Sequence, residues 1–324
     1  MSAESRKVLA LDIGGTKLAV GVLTADGVVH AFLVEPTLKE EGHHRVIARL
    51  FDMGHRAIAS AGPGGMAAIG ISSGGPLDPA TGIVMAPLNL PDWIDVPISD
   101  LARAEFGLPA VLVNDATAGM LAEHRYGAAR GAQIALYLTI STGVGGGAVI
   151  HGRLHRGAAG NGGEFGHVTV RPGGRRCTCG RSGCLEAYAS GTSIAARARE
   201  ALATDTSGSR LADVPAPTAE DVLAAAEAGD PLAVQLWTET TDVIGQAVTD
   251  LVNTFEPEVV VLGGGVTRAG AALIDPVRAT VARTAMPLAA AAVRIEFAQL
   301  GEAVCVVGAA ARAFEDLEEY SLVR

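Results

Sequence analysis

A β-rich run, a glycine-rich turn and a second β-rich run occur in that order twice in this chain, and no other feature constrains its fold as much. Residues 7 to 34 read KVLALDIGGTKLAVGVLTADGVVHAFLV, and residues 133 to 150 read QIALYLTISTGVGGGAVI. Apolar, β-branched residues on either side of a short turn are a hairpin signal, and Asp26-Gly27 adds a further turn to the first copy. The expected order is strand, turn, strand each time. Gly14, Gly15, Thr16 and Lys17 make the first turn, with Asp12 ending the strand before it, and Thr142 to Gly147 make the second. Glycines there let backbone N–H groups approach an anion, the threonines offer hydroxyls, and Asp12 can hold Mg²⁺ through water. For either turn alone a plain β-hairpin explains the pattern equally well. The first is not a Walker A loop, because GxxxxGK[ST] is absent and a strand follows. The second is like a dinucleotide loop in spelling, but such a loop must open a helix, and AVIHGRL continues as a strand. Two turns of this kind facing each other suit the two ends of a polyphosphate.

The stretch GEFGHVTVRPGGRRCTCGRSGCLE, residues 163 to 186, carries three of the four cysteines. His167, Cys177, Cys179 and Cys184 are spaced H-x9-C-x-C-x4-C. Three thiolates and an imidazole suit a closed, tetrahedral structural Zn²⁺ site with no position left for a catalytic water. Pro172 and the glycines at 173, 174, 180 and 183 allow the tight turns that such a knot needs. A disulfide reading leaves one of the three cysteines unpaired. Glu164 and Glu186 flank the ligands, so a metal knot here would hold two carboxylates in fixed positions, as a staple for a binding site.

The rest of the chain reads as alternating helices and strands. Residues 42 to 61 carry Val46, Ile47, Leu50, Phe51 and Ile58 at helical spacing, with His43, His44 and His55 on the solvated face. A buried strand at Met66 to Ser72 leads into Ser73-Gly74-Gly75-Pro76. The segment APLNLPDW is loop-like, and Asn89 and Trp93 suit loop packing and sugar contact equally. Leu108 to Asn114 reads as a strand buried on both faces, followed at Asp115 by a helical pattern closing at Gly127. A carboxylate at the carboxyl end of a buried strand is where open α/β sheets place ligands, although Asp115 also suits a helix cap. Ala187 to Leu202 is expected to be helical and 203 to 217 a polar loop. Thr218 caps the next helix with Asp221 at the capping-box position, and Pro231 opens a long amphipathic helix to about Phe255. Glu258 to Leu262 is a buried strand ending in Gly263, Gly264 and Gly265, which suit either a tight connection or close approach of a nucleoside, with a helix from about Ala269. Residues 293 to 299 form a strand and Ala303 to Glu315 the last helix, with Cys305 taken as a buried core thiol.

A formal charge of -10 argues against nucleic acid as the main partner, because phosphate neutralisation needs clustered lysine and arginine. The amino terminus lacks the apolar core of a signal peptide, and no stretch of about twenty apolar residues suits a membrane span, so a cytoplasmic location is expected.

Taken in order, DIGGTK at 12–17, ND at 114–115, TGVGGG at 142–147, GEFGH at 163–167, CTCGRSGCLE at 177–186 and LGGG at 262–265 make the chain similar to the ROK-family sugar kinases along essentially its whole length. The resemblance implies an α/β, two-domain, actin-like or hexokinase-type (ribonuclease H-like) fold around a cleft that closes on substrate. One domain would hold 1–116 with about 303–324, and the other 117–302 with the zinc loop. It implies ATP- and Mg²⁺-dependent phosphorylation of a hexose on the 6-hydroxyl, with glucokinase first, N-acetylmannosamine or N-acetylglucosamine kinase as the alternative, and fructokinase behind them. Asp115 matches the general base. Gly75, Asn89, Asn114, Asp115, Glu164, His167 and Glu186 match sugar-contacting positions. Asp12, Gly14, Gly15, Thr16 and Lys17 match one phosphate loop, Thr142, Gly143 and Gly145 the other, and Gly263, Gly264 and Gly265 the adenosine loop. His167, Cys177, Cys179 and Cys184 match structural zinc ligands. Homodimers or homotetramers are the implied assemblies. Sugar-responsive repressors of the family carry a DNA-binding segment before the first turn, and the eleven residues before Asp12 are too few for one.

Overall fold

The computed structural model describes residues 6–62, 64–87, 89–90, 92–204 and 208–322. Leu88 and Pro91 of the APLNLPDW segment and residues 205–207 of the loop expected at 203–217 lie outside the described residues, as do 1–5 and 323–324 of the expected first domain. The chain divides into two compact units: residues 1–131, 154–163 and 299–324, and residues 132–153 and 164–298.

The first unit is built on a sheet of β1 (Lys7–Ile13), β2 (Lys17–Thr24), β3 (Val29–Pro36), β4 (Met66–Ser73) and β5 (Ala110–Asn114), in the order β3-β2-β1-β4-β5. β1 to β3 form an antiparallel meander, and β1, β4 and β5 run parallel. The central strands are apolar along their length, and all seven residues of β1 are buried, as expected of a sheet covered on both faces. One face packs on helix His43–Ser60 through Val46, Ile47, Leu50, Phe51, Met53 and Ala57, while Ile58 is only partly buried. Trp93 joins this core at 1% exposure, so its place in the loop segment is packing.

The opposite face carries helices Asp115–Tyr126 and Val304–Leu322. These meet at backbone distance: a Cβ on Gly308 would lie 1.9 Å from the Ala118 carbonyl oxygen, and one on Gly70 of β4 would lie 1.9 Å from that of Ala309. This contact ties the helix beginning at Asp115 to the first unit, so the chain leaves that unit after Gly131, where a boundary after 116 was expected. Residues 154–163 also belong to the first unit.

The second unit repeats the plan. Its sheet runs β8 (Arg153–Leu154), β7 (Val144–Ile150), β6 (Ile134–Ile140), β9 (Val259–Gly263), β10 (Arg294–Phe297), with β6 and β7 antiparallel and β6, β9 and β10 parallel. Each sheet therefore has a β-hairpin on one side of its central strand and two parallel strands on the other. The duplicated sequence pattern marks, in each, the central strand and its antiparallel neighbour. Helix Ala219–Glu227 begins with the expected capping box, in which Thr218 accepts from the Asp221 N–H and the Asp221 carboxylate accepts from the Thr218 N–H. Pro231 opens the 25-residue helix Pro231–Phe255, capped by Asp230. The helix expected at 187–202 is two pieces, Glu186–Ala189 and Gly191–Thr204, because Ser190 between them is extended.

Candidate active site

In the first unit, register determines which side chains meet. Ile13 of β1 and Asn114 of β5 both pair with Ser73 of β4, so the carboxyl ends of three parallel strands finish together. Asp12, the Gly74-Gly75 turn and Asn114-Asp115 emerge at that edge, where open α/β sheets bind ligands. Asn114 is the cap of the following helix, its Oδ1 accepting from the N–H groups of Ala116 at 3.0 Å and Thr117 at 3.3 Å. The helix end is thus satisfied without Asp115, and the competing cap reading passes to Asn114. Asp115 is the first helical residue, its Oδ1 accepting from the adjacent Ala116 N–H at 2.7 Å. A Cβ on Gly74 would lie 3.8 Å from Asp115 Oδ2, and one on Gly75 would lie 3.6 Å from Asn114 Nδ2, so both groups face the glycine turn.

Burial raises both Asp115 and Asp12. Burial pushes the Asp115 carboxyl up, against the opposing Ala116 N–H. Burial also pushes Asp12 up to about 7, with Ser72 and Lys17 opposing and the charge of Asp115 adding. A polyvalent cation beside Asp12 would favour its ionised form. The Gly14–Lys17 turn closes through the Gly14 N–H donating to the Lys17 carbonyl at 3.1 Å, and Thr37 Oγ1 donates to the Gly14 carbonyl at 2.7 Å. A Cβ on Gly15 would lie 2.7 Å from Cβ of Asn89, which brings Asn89 to this turn. Lys17 points its ammonium 3.3 Å from Glu302 Oε1, an exposed pair. Cys305 is only partly buried and its Sγ lies 3.8 Å from the Asp115 carbonyl oxygen. Burial and then the charges of Asp12 and Asp115 raise its thiol well above the ordinary value, so this is a thiol beside two acids and not the core thiol expected.

In the second unit the glycine-rich turn is shorter than its sequence suggests. Ser141 donates to the Gly143 carbonyl at 2.8 Å, and Val144 already begins β7. Gly145 and Gly147 pair with Thr139 and Tyr137 inside the ladder, so their N–H groups belong to the sheet. The turn is fastened from outside, because Glu186 Oε2 accepts from the Val144 N–H at 3.0 Å. Glu186 Oε1 accepts from Thr178 at 3.3 Å and lies 3.6 Å from Cys177 Sγ. His167, Cys177, Cys179 and Cys184 offer donor atoms all within 4.8 Å of one another. Their loop is closed by backbone bonds from Cys177 to Arg181 and from Gly183 to Arg175, each 2.8 Å. Gly183, at φ 83°, cannot be another residue, since a Cβ there would lie 1.9 Å from the Arg171 carbonyl oxygen. Glu164 is more exposed, 3.9 Å from His167 Nε2.

A cavity of about 800 Å³ opens beside the turn, floored by Ser141, Thr142 and Gly265 and walled by Thr192, Arg199, Pro217, Leu223, Trp237 and Arg268. Of the three glycines at the end of β9, only Gly265 lines it. Gly264, at φ 89°, makes the close approach to β6, where a Cβ would lie 2.4 Å from the Ile140 carbonyl oxygen, and Gly263 packs on Tyr137. The helix expected at Ala269 begins at Ala271, after a 3₁₀ turn over Gly265–Ala269.

The model of the ROK family matches residues 8–315. The chain belongs to the ROK family. It is 37% identical to the glucokinase of Thermotoga maritima over 308 residues, 94% of this chain and 96% of that one. The crystal structure of the ROK hexokinase from Thermus thermophilus superposes with a TM-score of 0.81 at 38% identity, covering 97% of this chain and 99% of that one. The ROK family glucokinase of Streptomyces griseus, solved in complex with glucose and AMPPNP, superposes at 0.79 with 32% identity, covering 95% of this chain and 99% of that one. The fold is therefore that of the ROK hexokinases. Within this ROK chain, the sequence motifs fall at the turns, at Asp115 and at the convergent His167, Cys177, Cys179 and Cys184. The cavity walls escape them, because they come from five stretches of chain and have no shared local signature. No helix among the described residues is long and apolar enough to cross a membrane.

Proposed function

We propose that the protein is an ATP-dependent glucokinase, transferring the γ-phosphoryl group of MgATP to the 6-hydroxyl of glucose. The observation that carries the assignment is the placement of the Asp115 carboxyl, whose Oδ2 faces Gly74. It stands at the aligned ends of three parallel strands beside Gly74, with the duty of capping its helix taken by Asn114. Phosphoryl transfer needs positioning and charge stabilisation more than covalent chemistry. Asp115 orients the acceptor hydroxyl and takes its proton. Burial raises the basicity of that carboxylate, which strengthens it as a general base. Gly75, Asn89 and Asn114, which stand with Asp115 in the first unit, are assigned to the sugar.

The nucleoside is assigned to the 800 Å³ cavity, a volume within the range of cofactor sites, with the triphosphate directed to the Ser141–Gly143 turn. In the first unit, Gly14 to Thr16 are assigned to phosphate contact and Asp12 to Mg²⁺, whose charge would hold Asp12 ionised. Lys17 and Gly145 are assigned lesser parts, given the ion pair of one and the sheet pairing of the other. The reading carries with it a cytoplasmic location, where ATP is supplied.

The donor set at 167–184 fits Zn²⁺. It offers three sulfurs and one imidazole, and in the protein alone burial raises the thiols of Cys177 and Cys184, the latter to about 12, whereas the Arg181 N–H lowers Cys179. Bound Zn²⁺ would supply structural cross-linking, replacing those thiol protons. His167, Cys177, Cys179 and Cys184 would hold it, and Glu186 would be fixed against the phosphate turn as a result.

The test is ADP release with MgATP against glucose, mannose, fructose, N-acetylglucosamine and N-acetylmannosamine. Turnover with glucose exceeding all others is expected. A preference for an acetamido sugar would overturn the glucokinase assignment while leaving the phosphoryl-transfer chemistry in place.

A further inference from the structure

Arg175, on the loop that carries His167 and the three cysteines, reaches the helix that walls the cavity. It lies between His167 and Cys177 in the loop, and its backbone is fixed there: the Arg175 N–H donates to Tyr188 Oη at 2.9 Å and its carbonyl accepts from Gly183. Its side chain leaves the loop. Nε donates to the Ala187 carbonyl at 3.2 Å, and the two terminal nitrogens donate to the two carboxylate oxygens of Glu200 at 2.6 and 2.8 Å. A two-pronged pair of this kind fixes direction as well as distance.

Glu200 stands on helix Gly191–Thr204, and the same helix forms one wall of the cavity through Thr192, Ala195 and Arg199. Its amino end is anchored to the phosphate turn by the Gly191 N–H donating to the Ser141 carbonyl at 2.7 Å. Its middle is held by buried Arg197, which donates to the carbonyls of Tyr188 and Leu236. Toward its carboxyl end the helix is held by Leu202, packed against the core, and by the pairing of Glu200 with Arg175. Adjacent helical residues point about 100° apart, so holding Glu200 toward the metal loop sets the direction of Arg199 on the cavity wall.

We infer that Arg175 is a positioning residue for the nucleotide: through Glu200 it sets the last turn of the cavity helix, so that an ordered metal loop favours nucleotide binding. The inference rests on assigning the nucleoside to this cavity. It gives the metal loop two outputs, Glu186 toward the phosphate turn and Arg175 toward the nucleoside wall.

The experiment measures AMPPNP dissociation constants by calorimetry, with metal content and glucose affinity, for the metal-loaded wild type, Arg175→Ala, Glu200→Gln and the double variant. Each single change is expected to weaken AMPPNP about threefold, the scale of one well-formed but half-exposed ion pair. The double variant should be no weaker than either single. KM for ATP should rise with kcat unchanged, Arg175→Lys should restore part of the loss, and glucose affinity should not move. Unchanged AMPPNP affinity, or losses that add in the double variant, would overturn the coupling. If Arg175→Ala sheds metal, Glu200→Gln decides alone, since Glu200 is no part of the loop. A wild type that binds glucose but not AMPPNP would remove the cavity assignment and the coupling with it.

Discussion

Glu186 and Val144 are joined by a 3.0 Å hydrogen bond that fastens the metal loop to the first residue of β7, just after the glycine turn. A Cβ on Gly143 would lie only 2.8 Å from the same carboxylate oxygen, so the turn and the carboxylate fit each other closely. Glu186→Ala leaves the Val144 N–H without its acceptor, at a cost of about 1–3 kcal/mol. The expected outcome is a loss of at least tenfold in kcat/KM, with Glu186→Gln, which keeps an acceptor oxygen, losing less. Equal kinetics for the Ala variant and the wild type would show that the turn holds its shape unaided.

Asp115→Asn keeps the volume of the side chain and removes the base. Turnover should fall by about 10²–10⁴-fold, while glucose binding measured by calorimetry stays within a few fold. Because burial raises the Asp115 carboxyl, the acid limb of the wild-type kcat/KM profile should lie above the usual carboxylate range. Retained turnover in the Asn variant would remove Asp115 from the mechanism.

Asp12 supplies a pH dependence of stability in protein free of nucleotide and magnesium. Its carboxyl is raised from 3.8 to about 7 on folding, so the folded state holds a proton that the unfolded state has released. Its contribution is fully present below about pH 3.8 and is lost as pH rises through about 7. Asp12→Asn cannot ionise, so its melting temperature should exceed that of the wild type at pH 8 and match it near pH 4. Parallel melting curves across that range would contradict the buried-acid account.

Cys184 has no exposed surface, and Cys177 has 5%. Cys184→Ala should lower bound zinc, measured by elemental analysis, and lower the melting temperature and glucose affinity with it. Cys305→Ala, outside the metal set, should keep its zinc. A Cys184→Ala protein with full metal content would exclude Cys184 as a ligand.

Gly308→Ala tests how the first unit is closed. The added methyl would lie 1.9 Å from the Ala118 carbonyl oxygen, inside any allowed contact, so the two helices must separate. A loss of about 3 kcal/mol or more is expected by urea unfolding, and an unchanged midpoint would refute so close a crossing.

What the sequence determined by itself was local. The spacing of His167, Cys177, Cys179 and Cys184 predicts that their donor atoms converge, as they do, because all four lie on one short loop whose glycines permit its turns. The two hairpins are legible because strand and turn propensities act between neighbours, and Asp115 because it follows a fully apolar strand. Tertiary structure decided what depends on distant segments meeting. Register between β4 and β5 aligned Ser73 with Asn114 and so placed Asp115 beside Gly74. Sheet pairing withdrew Gly145 from the glycine-rich turn, and the Glu302 carboxylate engaged Lys17. Packing of Gly308 on Ala118 assigned the helix after Asp115 to the first unit and brought Cys305 to the acids. The cavity beside Ser141 and the Arg175–Glu200 pair arise in the same way. Each is made by side chains far apart in sequence, whose proximity is fixed by burial of apolar faces and not by any propensity of their own.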